Sequence, residues 1–251
     1  MKLYVVRHGQ TIFNTLNKVQ GWADTPLTKK GEKDGQEAGK RLKNVAFDVA
    51  FSSDTSRAMH TAEYILAENI HEHTKLQITP EWREYFFGSF EGGCNDVMWG
   101  AVAKEFGVNK GTPDAIAAEV QDMTAIMNKI YEVDPEHLGE NATGFWQRID
   151  AALEKLLMTQ KANANVLLVT HGQLIGNLAQ HYGHFLGAER PKNGAVAVFN
   201  LDDDGLQVEL FNDVNTIKFS QTNRLMIMFS LLFQKTYSLF SSQKWKFVKW
   251  C

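Results

Sequence analysis

"YVVRHGQT", residues 4–11, decides how the rest of the chain is read. Tyr4, Val5 and Val6 form the end of a buried strand, and Arg7 and His8 follow with no turn-forming residue between. Gly9 then opens the next segment. The order strand, histidine, glycine recurs at "LLVTHG", residues 167–172. There "NVLLVT" is a continuous apolar run, as expected of a parallel strand covered on both faces. In such sheets the working groups gather just past the carboxyl ends of strands. If the two strands are neighbours, His8 and His171 face each other across a pocket. Gly9 and Gly172 then turn free backbone N–H groups toward it, a good setting for an anion.

Working outward, strands alternate with helices. Residues 2–6 are a first strand, and "PLTKKGEKDGQEAGKRL" is a helix with Thr28 as its N-cap. Gly31, Gly35 and Gly39 each weaken that helix by about 1 kcal/mol relative to alanine, so their spacing points to close packing of one face. "FDVAF" (47–51) is a strand, "SSDTSRAMHTAEYILAE" becomes a helix, and "LQIT" (76–79) is a further strand. From Gly92 to about Asn141 the alternation stops, and the region reads as a helical insertion containing "DVMWGAVAKEF" and "PDAIAAEVQDMTAIMNKIY". "GFWQRIDAALEKLLMTQ" is amphipathic, with Phe145, Ile149, Ala152, Leu153, Leu156 and Leu157 on one face. "HGQLIGNLAQHYG" returns to helix, and "AVAVFNL" and "LQVELF" flank the turn "DDDG" as a closing hairpin. The expected fold is an α/β/α three-layer sandwich with a mostly parallel central sheet and a helical cap (92–141) over the site.

The chain has 251 residues and 44% apolar composition, enough for one domain with a sizeable core. A net charge of −3 gives no reason to expect nucleic acid. The two cysteines, Cys94 and Cys251, imply no disulfide framework, and with no signal-peptide pattern a reducing cytoplasm is expected. Residues 214–251 are different material: six basic residues and no acidic one, against 20 basic and 29 acidic in residues 1–213. "LMIMFSLLF" and "KWKFVKWC" in this tail read either as a basic segment making weak contact with an anionic membrane surface or as extraneous sequence. The apolar residues do not keep a clean 3.6-residue period, which favours the second. The folded domain is therefore placed at residues 1–213.

Arg7 and Arg57 supply fixed positive charge at the expected pocket. A guanidinium presents a planar fork that grips phosphate oxygens in pairs. Two arginines and two histidines around one point repel one another unless a dianion fills the space, and a phosphoryl group is the natural candidate. No HExxH pattern or carboxylate cluster with ligand spacing appears, so neither metal nor cofactor is expected.

At this point the chain resembles the histidine phosphatase, or phosphoglycerate mutase-like, superfamily. "RHGQT", "PLTKKG", "SSDTSRAMHTAEYIL", "WREYFFGSFEG", "GEN" with Arg148, "VLLVTHGQ" and "NGAVAVFNL" match its blocks in order, from residue 3 to about 213. The resemblance implies that His8 is a nucleophile forming a phosphohistidine. It implies that Arg7, Arg57 and His171 hold the non-bridging oxygens, with Asn14 also touching the phosphoryl group. Glu84 is implied as the proton donor, with a pKa raised by Trp82, Phe86 and Phe87 around it. Gln20, Gly21 and Gly172 are further candidates for substrate contact.

The resemblance covers both hydrolases and isomerases. The mutases resembling this family hold a glycerate carboxylate with an Arg-Arg pair in the insertion, and residues 84–147 contain no arginine. Phe87 stands where that motif has tyrosine, and Gln20 where it has threonine. A metal-independent phosphatase acting on a small phosphorylated metabolite is therefore the expectation, with a mutase, or a non-catalytic phospho-ligand binder, as alternatives. The aromatics at 82–90 are read equally as substrate contacts or as packing between insertion and sheet. Asn14 also suits a turn cap, and Gln20 and Gly21 an ordinary loop. His60, His71, His73, His137, His181 and His184 match no motif position and are read as surface or helix residues. Cys94 has no base near it in sequence and reads as a packed or partly exposed thiol. The oligomeric state is left open.

Overall fold

The computed structural model describes residues 1–71, 74–183 and 190–215. The elements are, in order, β1 (Lys2–Arg7), the single turn α1 (Ile12–Thr15), α2 (Lys29–Leu42), β2 (Val49–Ser53), α3 (Ser56–Ala67), β3 (Leu76–Thr79), α4 (Asn95–Phe106), α5 (Pro113–Val120), α6 (Met123–Val133), α7 (Ala142–Thr159), β4 (Asn165–Thr170), α8 (Gly172–His181), β5 (Val196–Asp202) and β6 (Gly205–Asp213). The tail beyond Asn215, with both of its readings, lies outside the described residues.

One six-stranded sheet runs β3-β2-β4-β1-β5-β6. The β3–β2, β2–β4 and β4–β1 pairs are parallel, and β5 and β6 close the edge antiparallel. Side chains alternate across the sheet. Leu3, Val5, Phe51, Val166, Leu168 and Phe199 join one continuous apolar core with α7, α8 and the helices of the insertion. Tyr4, Val6, Leu167 and Val169 occupy the alternate positions, and α3 packs against β2 and β4. Helices α2 and α3 pack on each other. A Cβ on Gly35 would lie 3.1 Å from Tyr64 Cβ, and one on Gly39 3.0 Å from Ile65 Cα, so the glycine spacing marks a helix-helix contact as expected.

The sandwich expected from the sequence is the fold observed, with two local corrections. The second strand runs over Val49–Ser53, two residues later than 47–51. "PDAIAAEVQDMTAIMNKIY" is two helices, not one. Gln121 adopts the left-handed conformation (φ 53°) and ends α5, and the Asp122 carboxylate accepts from Ala125 N–H at 3.0 Å to cap α6. Of the aromatics read in two ways, Trp82, Tyr85 and Phe87 are buried in the core, while Phe86 stacks on Trp22 at 4.7 Å between ring centroids. Among the described residues, no helix is long and apolar enough to cross a membrane.

Candidate active site

The two histidines meet because β1 and β4 are adjacent and parallel. Arg7 and Thr170 are register partners, so His8 and His171 leave the sheet side by side. Their ring centroids are 5.3 Å apart. His8 N–H donates to Thr170 O at 2.9 Å, tying the two strand ends together. Gly9 has to be glycine: a Cβ there would lie 2.1 Å from Gly31 O at the start of α2.

The hydrogen bonds assign the tautomers. A carbonyl only accepts, so the 2.8 Å contact of His8 Nδ1 with Gly9 O is an Nδ1–H donating. The His8 Nε2 lone pair is left without a protein partner among the described residues. His171 is the converse. Arg57 Nη2 donates to its Nδ1 at 3.1 Å, so the ring proton is on Nε2 and is donated to Ser53 Oγ at 2.9 Å. Burial, reinforced by Arg57 for both rings and by Arg7, pushes both histidines well below their ordinary range, so both are neutral.

Arg57 projects from the first turn of α3 and is fully buried. Nη2 donates to Gly21 O at 2.6 Å, and Nη1 to Ala23 O at 2.8 Å and Asp24 Oδ1 at 3.0 Å. The loop that holds it is fastened by Glu91, whose carboxylate accepts from Gly21, Trp22 and Ala23 N–H at 2.9–3.0 Å. Gly21 is forced as well, since a Cβ would lie 2.1 Å from Tyr85 O. Arg7 closes the other side. Nη1 donates to Pro191 O at 2.7 Å, and burial, with Arg190 nearby, lowers its pKa to about 10. The Nε atoms of Arg7 and Arg57 are buried with no partner among the described residues. Buried donors of this kind call for an acceptor.

Glu84 is buried beside α8. Its carboxylate accepts from Tyr85 N–H at 3.0 Å, Gln173 N–H at 2.7 Å and Leu174 N–H at 2.9 Å. The anion at the start of α8 is thus the protein's own carboxylate. The Gly172 N–H remains without an acceptor among the described residues. Burial raises the Glu84 pKa, and the three N–H bonds, which favour the charged form, only partly oppose this. Aromatic neighbours alone do not describe this group: it is a buried carboxyl in an amide cage. Arg148 fastens the strap that carries it, donating to the carbonyls of Glu81, Arg83 and Glu84 at 2.8, 2.9 and 3.3 Å while paired with Glu140 at 2.7 Å.

The remaining candidates divide. Asn14 completes a capping box with Thr11, and its Oδ1 accepts from Asn193 Nδ2 at 3.1 Å. Asn193 Nδ2 also donates to His8 O at 3.0 Å, so Asn14 lies within the His8 network. The Gln20 side chain is used within its loop, accepting from Thr11 Oγ1 at 2.6 Å and donating to Thr25 Oγ1 at 3.0 Å. Gly21 contributes its carbonyl to Arg57 and its N–H to Glu91. His60, His71, His137 and His181 are exposed, as read, and His73 and His184 lie outside the described residues. Cys94 is half-buried and free. Sequence reading passed over Ser53, Glu91, Gln173, Arg190 and Asn193. "FEGG" and "RPKNGA" carry the signal for Glu91, Arg190 and Asn193, in being polar residues inside or beside matched blocks.

Comparison with known proteins places this geometry. The model of the histidine phosphatase superfamily (branch 1) matches residues 3–106 and 103–214. A 2,3-bisphosphoglycerate-dependent phosphoglycerate mutase of Methanococcus vannielii is 28% identical over 227 residues, 82% of this chain and 92% of that protein. The adenosylcobalamin/alpha-ribazole phosphatase of Escherichia coli is 29% identical over 193 residues, 74% of this chain and 84% of that one. The crystal structure of a phosphoglycerate mutase from Bacillus anthracis superposes with a TM-score of 0.76 at 34% identity, covering 85% of this chain and 93% of the other. The matched segments hold His8, Arg7, Arg57, Glu84 and His171 and span nearly all of the described residues, and the chain belongs to the histidine phosphatase superfamily.

Proposed function

We propose that the protein is a phosphomonoester hydrolase working through a phosphohistidine on His8, with Glu84 as proton donor and a small phosphorylated metabolite as substrate. One observation carries this reading: the Nδ1–H bond to Gly9 O leaves a neutral Nε2 lone pair, unpartnered among the described residues, beside Arg7, Arg57 and His171. In the first step Nε2 attacks phosphorus as the P–O ester bond breaks, and the departing alkoxide takes the proton of Glu84. In the second step water attacks the phosphohistidine, its proton passes to the Glu84 carboxylate, and the P–N bond breaks to release phosphate. Arg7 and Arg57 neutralise the phosphoryl oxygens, with their Nε–H groups, unpartnered among the described residues, as added donors. The Gly172 N–H offers a further donor. The chain's own guanidiniums supply the charge this chemistry needs, so the reading calls for no metal. The unit that acts is residues 1–213, with 92–141 as its cap.

Isomerisation is the second reading, and the mutase relatives favour it. The absence of arginine from residues 84–147 weighs against it. Phosphate release from p-nitrophenyl phosphate and a panel of monoesters, with EDTA present, separates the two. EDTA-resistant hydrolysis, with a His8-dependent acid-labile phosphoenzyme, is the expected result. Conversion of 3-phosphoglycerate to its 2-isomer without hydrolysis would overturn it.

A further inference from the structure

Trp22 belongs to the loop that holds Arg57, and it is 38% exposed. Core packing does not account for an indole that keeps so much of its surface in water. The ring has three directed contacts instead. Nε1–H donates to Glu84 O at 3.0 Å. Phe86 stacks on the ring with 27° between the planes, and Arg83 Cζ lies 4.5 Å from its centroid. A guanidinium at that distance is attracted by the negative face of the indole. Arg83 is itself fixed, with Nε donating to Asp54 Oδ1 at 2.7 Å and Nη2 to Asp54 Oδ2 at 2.5 Å. The indole plane and the direction of its N–H are therefore set from outside the residue.

These contacts join two parts of the site through one residue. Along the main chain, Trp22 is flanked by Gly21 and Ala23, whose carbonyls accept from Arg57 at 2.6 and 2.8 Å. Through its side chain it reaches the main chain of Glu84. A carbonyl oxygen has two lone pairs, and Arg148 Nη2 donates to the same oxygen at 3.3 Å from the side of α7. Glu91 Oε1 accepts from both Trp22 N–H at 2.9 Å and Phe87 N–H at 3.1 Å, so the loop and the strap that carries Glu84 are fastened to each other. The stack also returns to Arg57, because Asp54 lies three residues before it in the chain. A shift of the Glu84 carbonyl moves its carboxyl relative to the Gln173 and Leu174 N–H groups that cage it. We infer that Trp22 is a positioning residue that holds the Glu84 carboxyl in register with the Arg57 guanidinium, so that the proton and the phosphoryl charge are met at one setting of the site. The inference rests on the reading of Glu84 as the proton donor.

Two replacements separate register from bulk. Putting 3-benzothienylalanine at Trp22 keeps the shape and stacking of the ring, with sulfur in place of the N–H. Trp22→Phe keeps an aromatic ring beside Phe86 and also lacks the donor. The readout is kcat/KM, which reports formation of the phosphohistidine, a step in which glycerol 3-phosphate needs the proton and p-nitrophenyl phosphate does not. In both variants the ratio of kcat/KM for the alkyl over the aryl ester is expected to fall at least about tenfold, with the aryl value within about threefold of the parent enzyme. Equal losses for the two esters would make Trp22 a general support of the Arg57 loop and overturn the inference, and so would no loss for either. Hydrogen exchange tests the register without turnover. The N–H groups of Tyr85, Gln173 and Leu174, which donate to the Glu84 carboxylate, are expected to exchange at least about tenfold faster in both variants, while Leu168 N–H in β4 keeps its rate. Unchanged exchange at all three would overturn the inference as well. If no ester is hydrolysed but the exchange difference stands, the hydrolase reading fails and the placement of Glu84 by Trp22 does not.

Discussion

His8 and His171 leave neighbouring parallel strands at the same level, and each precedes a glycine. Their local sequences are nearly interchangeable, yet their ring nitrogens are used in opposite ways. His8 is fixed at Nδ1 by a carbonyl one residue away, and its Nε2 has no partner among the described residues. His171 is held at both nitrogens, by Arg57 and Ser53. The first arrangement suits the proposed nucleophile. The second makes a post that orients a guanidinium, and it can reach a phosphoryl oxygen only in competition with Ser53. Role is therefore set by what surrounds each ring, since strand, residue type and burial are shared.

Replacing each histidine in turn tests that difference. His8→Ala removes the proposed bond-forming atom, and on that reading ester hydrolysis is expected to fall by at least about 10^4-fold, to the level left by binding and electrostatics. Phosphoenzyme labelling should vanish with it. His171→Ala keeps the nucleophile but frees Arg57 at one of its contacts, and about 10^2–10^3-fold is expected, with the label still formed slowly. Rapid-quench labelling of both variants is the measurement. Equal losses with no label in either would end the distinction between nucleophile and post.

Glu84→Gln comes next in size. The alkoxide of an alkyl phosphate needs a proton and nitrophenolate does not, so about 10^2–10^4-fold is expected for the alkyl ester and much less for p-nitrophenyl phosphate. The pH profile carries the sign. His8 must be neutral, and its pKa is lowered, so activity rises with pH through a range below 6.5. Glu84 must be protonated, and its pKa is raised, so activity falls again only at pH values above the ordinary 4.5. A bound phosphoryl dianion raises it further. The descending limb for the alkyl ester is expected to disappear in Glu84→Gln. A limb that persists there would assign the proton to another group.

The contrast between the two histidines also marks what a sequence can carry. Strand, histidine and glycine are local features, and so are the N-cap Thr28 and the glycine row of α2, because each depends on neighbours a few residues away. The helix break at Gln121 was local too: "QDMT" has a capping aspartate with a free N–H three residues on, but an apolar period running through it masked the stop. Arg190, Ser53 and Glu91 are of another kind. Glu91 matters because it meets the N–H groups of a loop about 70 residues away, and Ser53 because it meets His171, 118 residues on. Their partners are fixed by sheet order and by the packing of the insertion, which no short window contains.

Gln20 and Gly21 give the same contrast in its smallest form, two adjacent residues of one loop. Gly21→Ala places a methyl group 2.1 Å from Tyr85 O and disturbs the carbonyl that holds Arg57. Overpacking of that kind is expected to cost about 1–3 kcal/mol of stability, with a loss of kcat because the guanidinium shifts. Gln20→Ala removes two hydrogen bonds to threonines inside the loop and nothing at the phosphoryl site, so about 1 kcal/mol of stability is expected. Its kcat/KM should stay within about threefold of the parent enzyme, a barrier change below about 1 kcal/mol. Chemical denaturation and steady-state kinetics on the pair decide the matter. A Gln20→Ala protein of unchanged stability whose KM rises about tenfold would mean that the side chain leaves Thr11 and Thr25 to meet the substrate, and the loop would then be a binding element as well as a support for Arg57.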